Sequence, residues 1–181
     1  MGTLKNVFAF FCLGSVLYIF ISLVSYSSLD PSLSSVSSLS GDIVNLGGPF
    51  GAYLSDALYS VIGLGAYLFL TIISFAAVKT LFFYQQTDSL HKAIQITSAI
   101  FLISSFSTLC EFYYSGDYFP QSSSGGLVGN LLFTNLSNIF GVVGSLIFIV
   151  IFFLASVSLT FSFSWLSVMD ALGKSTKYFF Q

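Results

Sequence analysis

The chain has 181 residues, of which 55% are hydrophobic and only 7% are charged, and its mean hydropathy is +0.92. Soluble domains carry about a quarter of their residues as charged side chains, so this composition excludes a soluble globular protein and indicates an integral membrane protein. The net charge is −2, and the five basic residues are all scattered lysines, which argues against a nucleic-acid-binding surface on this chain.

Four apolar runs are long enough to cross a bilayer, because a hydrocarbon core of about 30 Å needs roughly 20 helical residues. In chain order they are residues 7–26, 57–78, 93–112 and 139–162. The sequence therefore predicts an all-α, four-helix membrane domain over residues 1–181. Its outer loops are residues 27–56 and 113–138, its inner loop is residues 79–92, and a cytoplasmic linker starts at residues 163–181.

The third run differs from the others because serine and threonine dilute it. Such hydroxyls hydrogen-bond the helix that carries them or a neighbouring helix, which predicts that this span faces the inside of the bundle. A helix in which the hydroxyls are merely tolerated is the alternative.

Lysine placement predicts the orientation of the chain, because cytoplasmic loops retain positive residues. With four spans, all five lysines fall on one side of the membrane, and five of the seven acidic residues fall on the other. Both termini are therefore expected in the cytoplasm.

The chain matches itself at an offset of 78 residues, and each copy reads GGxxG followed by a glycine twelve residues later. The matched pairs are Gly47 with Gly125, Gly48 with Gly126, Gly51 with Gly129, Leu54 with Leu132, Leu58 with Leu136, Gly63 with Gly141, and Leu68 with Leu146. Both copies enter the membrane from outside, so the match predicts two parallel-repeat hairpins. Biased composition in a glycine-containing membrane protein is the competing explanation.

The repeat suggests a role for its glycines. The Gly-Gly pair frees the backbone to turn, a short amphipathic interfacial helix follows at the outer face before the second and fourth spans, and the last glycine lets helices approach closely. Asp56 is interpreted as lying near the start of its helix, where the helix dipole stabilises a carboxylate. The residues predicted for helix packing or partner contact are Gly47, Gly48, Gly51, Asp56, Gly63, Gly125, Gly126, Gly129 and Gly141. If the repeat is real, Gly63→Leu and Gly141→Leu should each weaken assembly in detergent.

Catalytic and metal chemistry find no support in the sequence. Every charge lies at or beyond the end of a span, whereas transport and catalysis inside a membrane use mid-membrane ionisable groups. His91 is the single histidine and has no ligand partner at suitable spacing, so no metal site is expected. "LGKST", which ends at Thr176, resembles the end of a phosphate-binding loop, but Val168 stands where the motif requires glycine. No catalytic residue, cofactor or metal ligand is therefore predicted.

Four sequence motifs in order resemble a known family. They are "YSSLDPS" after the first span, "NLGGPFGAYLSDALYSVIGLGAYLF" into the second, "GGLVGNLL…IFGVVGSLI" into the fourth, and "FSFSWLSVMDALG" after it. Together they resemble the N-terminal four-helix membrane domain of the FtsK/SpoIIIE DNA translocases over nearly the whole chain. The second motif is the specific one.

This resemblance implies a multi-pass domain of the bacterial inner membrane that anchors a cytoplasmic, hexameric, ATP-driven DNA pump at the division septum. The expected partners are the lipid bilayer, further copies of the chain through the family's hexameric motor, and other cell-division membrane proteins. Because the family's Walker motifs have no counterpart here, the chain itself is expected not to be an enzyme. A small oligomeric channel or transporter subunit, with the hydroxyl-rich third helix along a polar path, is the alternative function.

Overall fold

A computed structural model describes residues 2–32, 43–82, 88–114, 123–162 and 169–170 of the chain. Within these residues the regular structure is entirely α-helical. The five helices are α1 (Gly2–Val24), α2 (Gly48–Ile62), α3 (Gly65–Phe82), α4 (Ser89–Tyr113) and α5 (Gly126–Phe161). The predicted cytoplasmic linker, apart from residues 169–170, lies outside the described residues, as do most of the serine-rich outer loop and the inner-loop residues 83–87.

Four of the helices are long and apolar enough to cross a membrane, which confirms the predicted number of spans. The candidate segments are Asn6–Val24, Gly65–Phe82, Ser89–Tyr113 and Gly126–Phe161. The protein is therefore an all-α, multi-pass membrane protein.

The second and fourth predicted spans differ from the helices because each contains a glycine at which the helix breaks. Residues 57–62 belong to α2, and α3 begins only after Gly63, whose φ and ψ are 56° and −132°. Helix α5 is interrupted at Gly141, where φ and ψ are 70° and 167°. Both conformations are open to glycine and strained for other residues, but an unbroken apolar run in the sequence conceals them.

The predicted repeat is present in the backbone. All four glycines with positive φ in the described residues fall into two pairs at the 78-residue offset, Gly48 with Gly126 and Gly63 with Gly141. Each copy consists of a glycine turn, a short helix, a glycine break and a second helix. Helix α2 is the short helix of the first copy, and residues 126–140 of α5 are its counterpart.

Each copy packs mainly against the helix that precedes it. Helix α1 lies along α3, with Leu23, Ala66 and Leu70 buried at their contact, and α4 lies along α5. Most of the hydroxyls that dilute α4 face inward: Ser98, Ser105, Ser107 and Thr108 are buried, whereas Ser104 is half-buried and Thr97 is exposed. Helix association in a membrane depends on such close packing and hydrogen bonds, because lipid tails are as apolar as the side chains.

Candidate functional site: two glycine turns

The turn before α2 is built by Asn45 and two glycines. The Asn45 side-chain oxygen accepts a hydrogen bond from Gly47 N at 2.8 Å, and its backbone oxygen accepts one from Gly48 N at 2.9 Å. Gly48 has a φ of 66°, and Pro49 in the first turn of α2 supplies a backbone angle already suited to a helix. The sequence N-L-G-G-P thus specifies a tight turn leading into a helix.

This first turn is fastened to the end of α1. Tyr18 donates its hydroxyl to the Gly47 carbonyl at 2.7 Å, and Asn45 Nδ2 donates to the Ser22 carbonyl at 2.9 Å. A Cβ added at Gly51 would lie 2.7 Å from Ser22 Oγ, and one added at Gly47 would collide with the same hydroxyl. Glycine is needed at both positions because the turn and α1 approach so closely.

Asp30 joins the two described ends of the first outer loop, which are residues 27–32 and 43–47. Its Oδ1 accepts from Val44 N at 2.8 Å and its Oδ2 accepts from Asn45 N at 2.9 Å, and the residue is only 2% exposed. A carboxylate that accepts backbone N–H groups in this way fixes the chain by charge-assisted hydrogen bonds. Asp30 therefore holds residues 44 and 45 against the chain segment that follows α1.

The second turn, before α5, is fastened by a single carboxylate at the end of α4. Glu111 Oε2 accepts from Ser123 Oγ at 2.6 Å and from Gly125 N at 2.9 Å, while Oε1 accepts from Asn130 Nδ2 at 3.2 Å. A Cβ at Gly129 would lie 2.6 Å from the carbonyl oxygen of Ser107. The second turn therefore sits on α4 as the first sits on α1.

The two copies meet where α2 ends. Leu64 N donates to the Ser124 carbonyl at 2.9 Å, and Ser107 Oγ donates to the Ile62 carbonyl at 2.8 Å. A Cβ at Gly63 would lie 2.6 Å from Gly126 N and would collide with the Ser124 carbonyl. The break in the first copy is thus held directly against the turn of the second copy, and we call this contact the inter-copy contact.

The interpretation of Asp56 as a residue near the start of its helix is wrong. Helix α2 begins at Gly48, which places Asp56 in its middle, beyond the reach of the dipole at the helix N-terminus. Its side chain is fully buried, and Oδ1 accepts a hydrogen bond from the Tyr26 hydroxyl at 3.0 Å. Asp56 therefore joins α2 to the chain segment after α1.

Apart from Asp56, the predicted residues are eight glycines. Gly63 and Gly126 meet in the inter-copy contact, and Gly47, Gly51 and Gly129 lie against the preceding helix. Gly125 does both, since it lies next to Gly63 and a Cβ added there would collide with the Ser107 carbonyl of α4. A Cβ added at Gly48 or Gly141 would meet nothing within 4 Å.

Sequence reasoning missed the polar residues that hold the turns, namely Asp30, Asn45, Glu111 and Tyr26. A signal was available for two of them, since Asp30 is the first acidic residue after the first apolar run and Glu111 stands at the end of the third, each ahead of a GGxxG motif. In the described residues no group of three or more His, Cys, Asp or Glu could hold a metal ion. The carboxylates of Asp30 and Glu111 bind backbone N–H groups, which fits a structural role.

The known proteins that this chain matches agree with this architecture. The sequence model of the 4TM region of DNA translocase FtsK/SpoIIIE matches residues 2–173. The chain belongs to this family.

Individual relatives are bacterial proteins named DNA translocases. The chain is 30% identical over 170 residues to DNA translocase FtsK 1 of Neisseria meningitidis serogroup A, and 30% identical over 173 residues to DNA translocase FtsK of Pseudomonas aeruginosa. Each match covers 91% of this chain and 21% of the relative. A third relative, DNA translocase FtsK of Shewanella oneidensis, is 30% identical over 161 residues, which is 86% of this chain and 17% of the relative. No solved structure matches the chain.

The 181 residues thus span about a fifth of the length of these relatives, and the part they match is the membrane region. The resemblance inferred from the sequence motifs is confirmed.

Proposed function

We infer that the chain is the membrane-anchoring and assembly domain of a septal DNA translocase that acts in cell division and chromosome segregation. The observation that carries this proposal is the match of nearly the whole chain to the four-helix region of proteins named DNA translocases. The family resemblance implies that copies of the chain associate through a hexameric motor in the cytoplasm. It also implies that other division proteins contact the domain, and we place those contacts at the outer loops.

The contacts of the third span support an anchor over a channel. Ser104 and Thr108 donate their hydroxyls to carbonyls one turn earlier in α4, at 2.9 and 2.8 Å, and Thr160 Oγ1 donates to Ser98 Oγ at 3.1 Å. These hydroxyls are occupied in helix-to-helix and within-helix bonds, which stabilise a bundle. Liposomes containing the purified chain should therefore show no ion or solute flux above that of empty liposomes, and robust flux would favour the channel.

The inter-copy contact supports the predicted interfacial helices. Because Gly63 contacts Gly126, the end of α2 and the beginning of α5 lie at one depth. If an axis along the membrane normal relates the copies, Gly48 shares the depth of Gly126 as well. Both ends of α2 then have the same depth, which means that α2 and residues 126–140 run parallel to the membrane surface.

Alkaline phosphatase fusions test the orientation, because this enzyme is active only outside the cytoplasm. We expect activity from fusions within residues 33–42 and 115–122, and none from fusions within residues 83–87 or after Gln181. The reverse pattern would invert the proposed topology and remove the C-terminus from the side on which a DNA motor must act.

Septal recruitment is tested with a fluorescent protein fused after Gln181 in dividing cells of the source bacterium. The proposal predicts a fluorescent band at the constriction site, whereas an unrelated four-span membrane protein with the same fusion should label the whole envelope evenly. An even envelope signal from both fusions would contradict a septal role for this domain.

A further inference from the structure

The chain contains one complete inter-copy contact and the two halves of another. In the complete contact, Gly63 of the first copy meets Ser124, Gly125 and Gly126 of the second. At the 78-residue offset, the counterpart of Gly63 is Gly141, and the counterpart of the Ser124–Gly126 turn is the Leu46–Gly48 turn. These two counterparts belong to opposite ends of the repeat and do not meet each other within the chain.

Burial differs sharply between the complete contact and its counterparts. Gly63 is buried and Gly141 is exposed. Ser124, Gly125 and Gly126 are all buried, whereas Leu46 is 77% exposed and Gly47 and Gly48 are half-buried. After the break, Gly65 is buried, whereas its counterpart Val143 is 73% exposed.

The glycines of the incomplete contact have positive φ, as their counterparts in the complete contact do. Gly141 has a φ of 70° and Gly63 has one of 56°, and Gly48 and Gly126 have values of 66° and 64°. The ψ values of the two breaks differ, at 167° for Gly141 and −132° for Gly63. Gly63 lies against the Ser124–Gly126 turn, whereas a Cβ added at Gly141 would meet nothing within 4 Å, so the described part of the chain leaves the Gly141 break open to a neighbour.

We propose that the Gly141 break of one chain binds the Leu46–Gly48 turn of the next chain, repeating between chains the contact that joins the two copies within a chain. The backbone N–H of Val142 then donates to the Leu46 carbonyl of the neighbour, as Leu64 N donates to the Ser124 carbonyl. Leu46 and Val143 replace Ser124 and Gly65, so the contact between chains is more apolar than the internal one.

This contact is head-to-tail, because it joins two different surfaces of the same chain. Head-to-tail contacts produce closed rings when their rotation closes and open assemblies when it does not. In a bilayer the rotation axis must lie along the membrane normal, so chains linked in this way form a ring or an arc in the plane, with each chain contributing two equivalent hairpins. The inference rests on the assembly role proposed above and does not require septal recruitment.

Disulfide cross-linking in native membranes tests the proposal. In a background carrying Cys12→Ala and Cys110→Ala, the double variant Leu46→Cys/Val142→Cys places one thiol on each half of the proposed contact. The internal pair Leu64→Cys/Ser124→Cys is the matched control, because the 2.9 Å bond between their backbones keeps these residues within the roughly 7 Å between Cα atoms that a disulfide tolerates.

After oxidation, the Leu46→Cys/Val142→Cys chain should give a ladder of covalent oligomers on a non-reducing gel. The control pair should form its bridge within one chain and remain a monomer. When membranes contain differently tagged Leu46→Cys and Val142→Cys single variants together, cross-linking should stop at dimers that carry one tag of each kind.

Two results would overturn the proposal. One is efficient closure of the control bridge with no cross-linking of Leu46→Cys/Val142→Cys, which would mean that lipid or another protein covers Gly141. The other is equal dimer formation by either single variant alone, which would mean that like surfaces meet. Because this readout measures chain-to-chain contact, a ladder without a septal band would contradict the septal role alone, and a septal band without a ladder would contradict this inference alone.

Discussion

The two copies of the repeat share a backbone but not an environment. Between residues 54 and 62 of the first copy only Val61 is exposed, whereas six of the nine corresponding residues, 132–140, are exposed in the second. Helix α2 contacts α1 and α3, and it also contacts the beginning of α5 at the turn of the second copy. In the described part of the chain, residues 132–140 have no contact that corresponds to this one with a following turn. The difference shows that one chain supplies a neighbour to its first copy, and the proposed contact between chains would supply one to its second.

The copies also differ in the side chains whose hydrogen bonds hold each glycine turn to the preceding part of the chain. The first uses Asp30, Asn45 and the Tyr18 hydroxyl, and the second uses Glu111 with Ser123. Both solutions place a carboxylate on backbone N–H groups of the segment that enters the glycine turn. The copies therefore share the glycine pattern and its positive φ values, while the polar residues that hold the turns differ in sequence position and chemistry.

The largest effect should separate Gly63→Ala from Gly141→Ala. Both changes strain a backbone that favours glycine, at roughly 1–3 kcal/mol. Gly63→Ala also forces a Cβ against the backbone of Ser124 and Gly126, which adds about 1–3 kcal/mol of overpacking. In SDS titrations of the detergent-solubilised chain followed by circular dichroism, Gly63→Ala should lower the free energy of unfolding by more than Gly141→Ala does.

Gly14→Ala is the control for this pair, because Gly14 lies within α1 and an added Cβ there meets nothing within 4 Å. Its free energy of unfolding should be unchanged or slightly raised, since alanine favours a helix. In detergent that keeps the chain monomeric, so that Gly141 has no neighbour, equal losses at Gly63 and Gly141 would show that the inter-copy contact contributes no specific packing.

The next effect concerns the two carboxylates that fasten the turns. Asp30→Asn replaces an oxygen that accepts from a backbone N–H by an amide NH2 group, which cannot accept, and Glu111→Gln sets such a group opposite either Gly125 N or Asn130 Nδ2. Each change should cost about 1–3 kcal/mol in the same titration. Asp88→Asn is the control: Asp88 is highly exposed and lies 3.9 Å from His91, a pair that should contribute nothing measurable. A loss in only one of the first two variants would mean that the turns are not equivalent supports.

The smallest effect should fall on the first copy alone. Tyr26→Phe removes the hydroxyl that donates to the buried Asp56, and it should destabilise the chain by about 1 kcal/mol. The counterpart of Asp56 in the second copy is Thr134, which is exposed, so Thr134→Val should leave the free energy of unfolding unchanged. A larger loss for Thr134→Val than for Tyr26→Phe would contradict the assignment of Asp56 as a buried support.

Hydropathy and glycine spacing predict much of this fold. The four spans follow from the length of the apolar runs, and the repeat follows from glycines that recur at a fixed offset. The breaks at Gly63 and Gly141 escape a hydropathy reading because the residues on both sides are apolar, so residues 57–62 were predicted as part of a span.

The polar residues that hold the glycine turns were less predictable for a different reason. The contacts that Asp30, Asn45 and Glu111 make across the outer loops join residues 12 to 23 positions apart, along paths that hydropathy does not describe. Asp56 shows the same limit, because its partner Tyr26 lies 30 residues earlier in the chain. Sequence spacing identified Asp56 as notable, but its burial depends on a tertiary contact that spacing alone does not give.

An electron cryomicroscopy map of the chain in lipid nanodiscs would test the central claim most directly. The account predicts Gly63 against Ser124–Gly126 within each chain and Gly141 against the Leu46–Gly48 turn of the adjacent chain, so that hairpins repeat evenly around the assembly. A map in which Gly141 contacts only lipid while the Gly63 contact is intact would contradict the extension of the internal repeat into an assembly of chains.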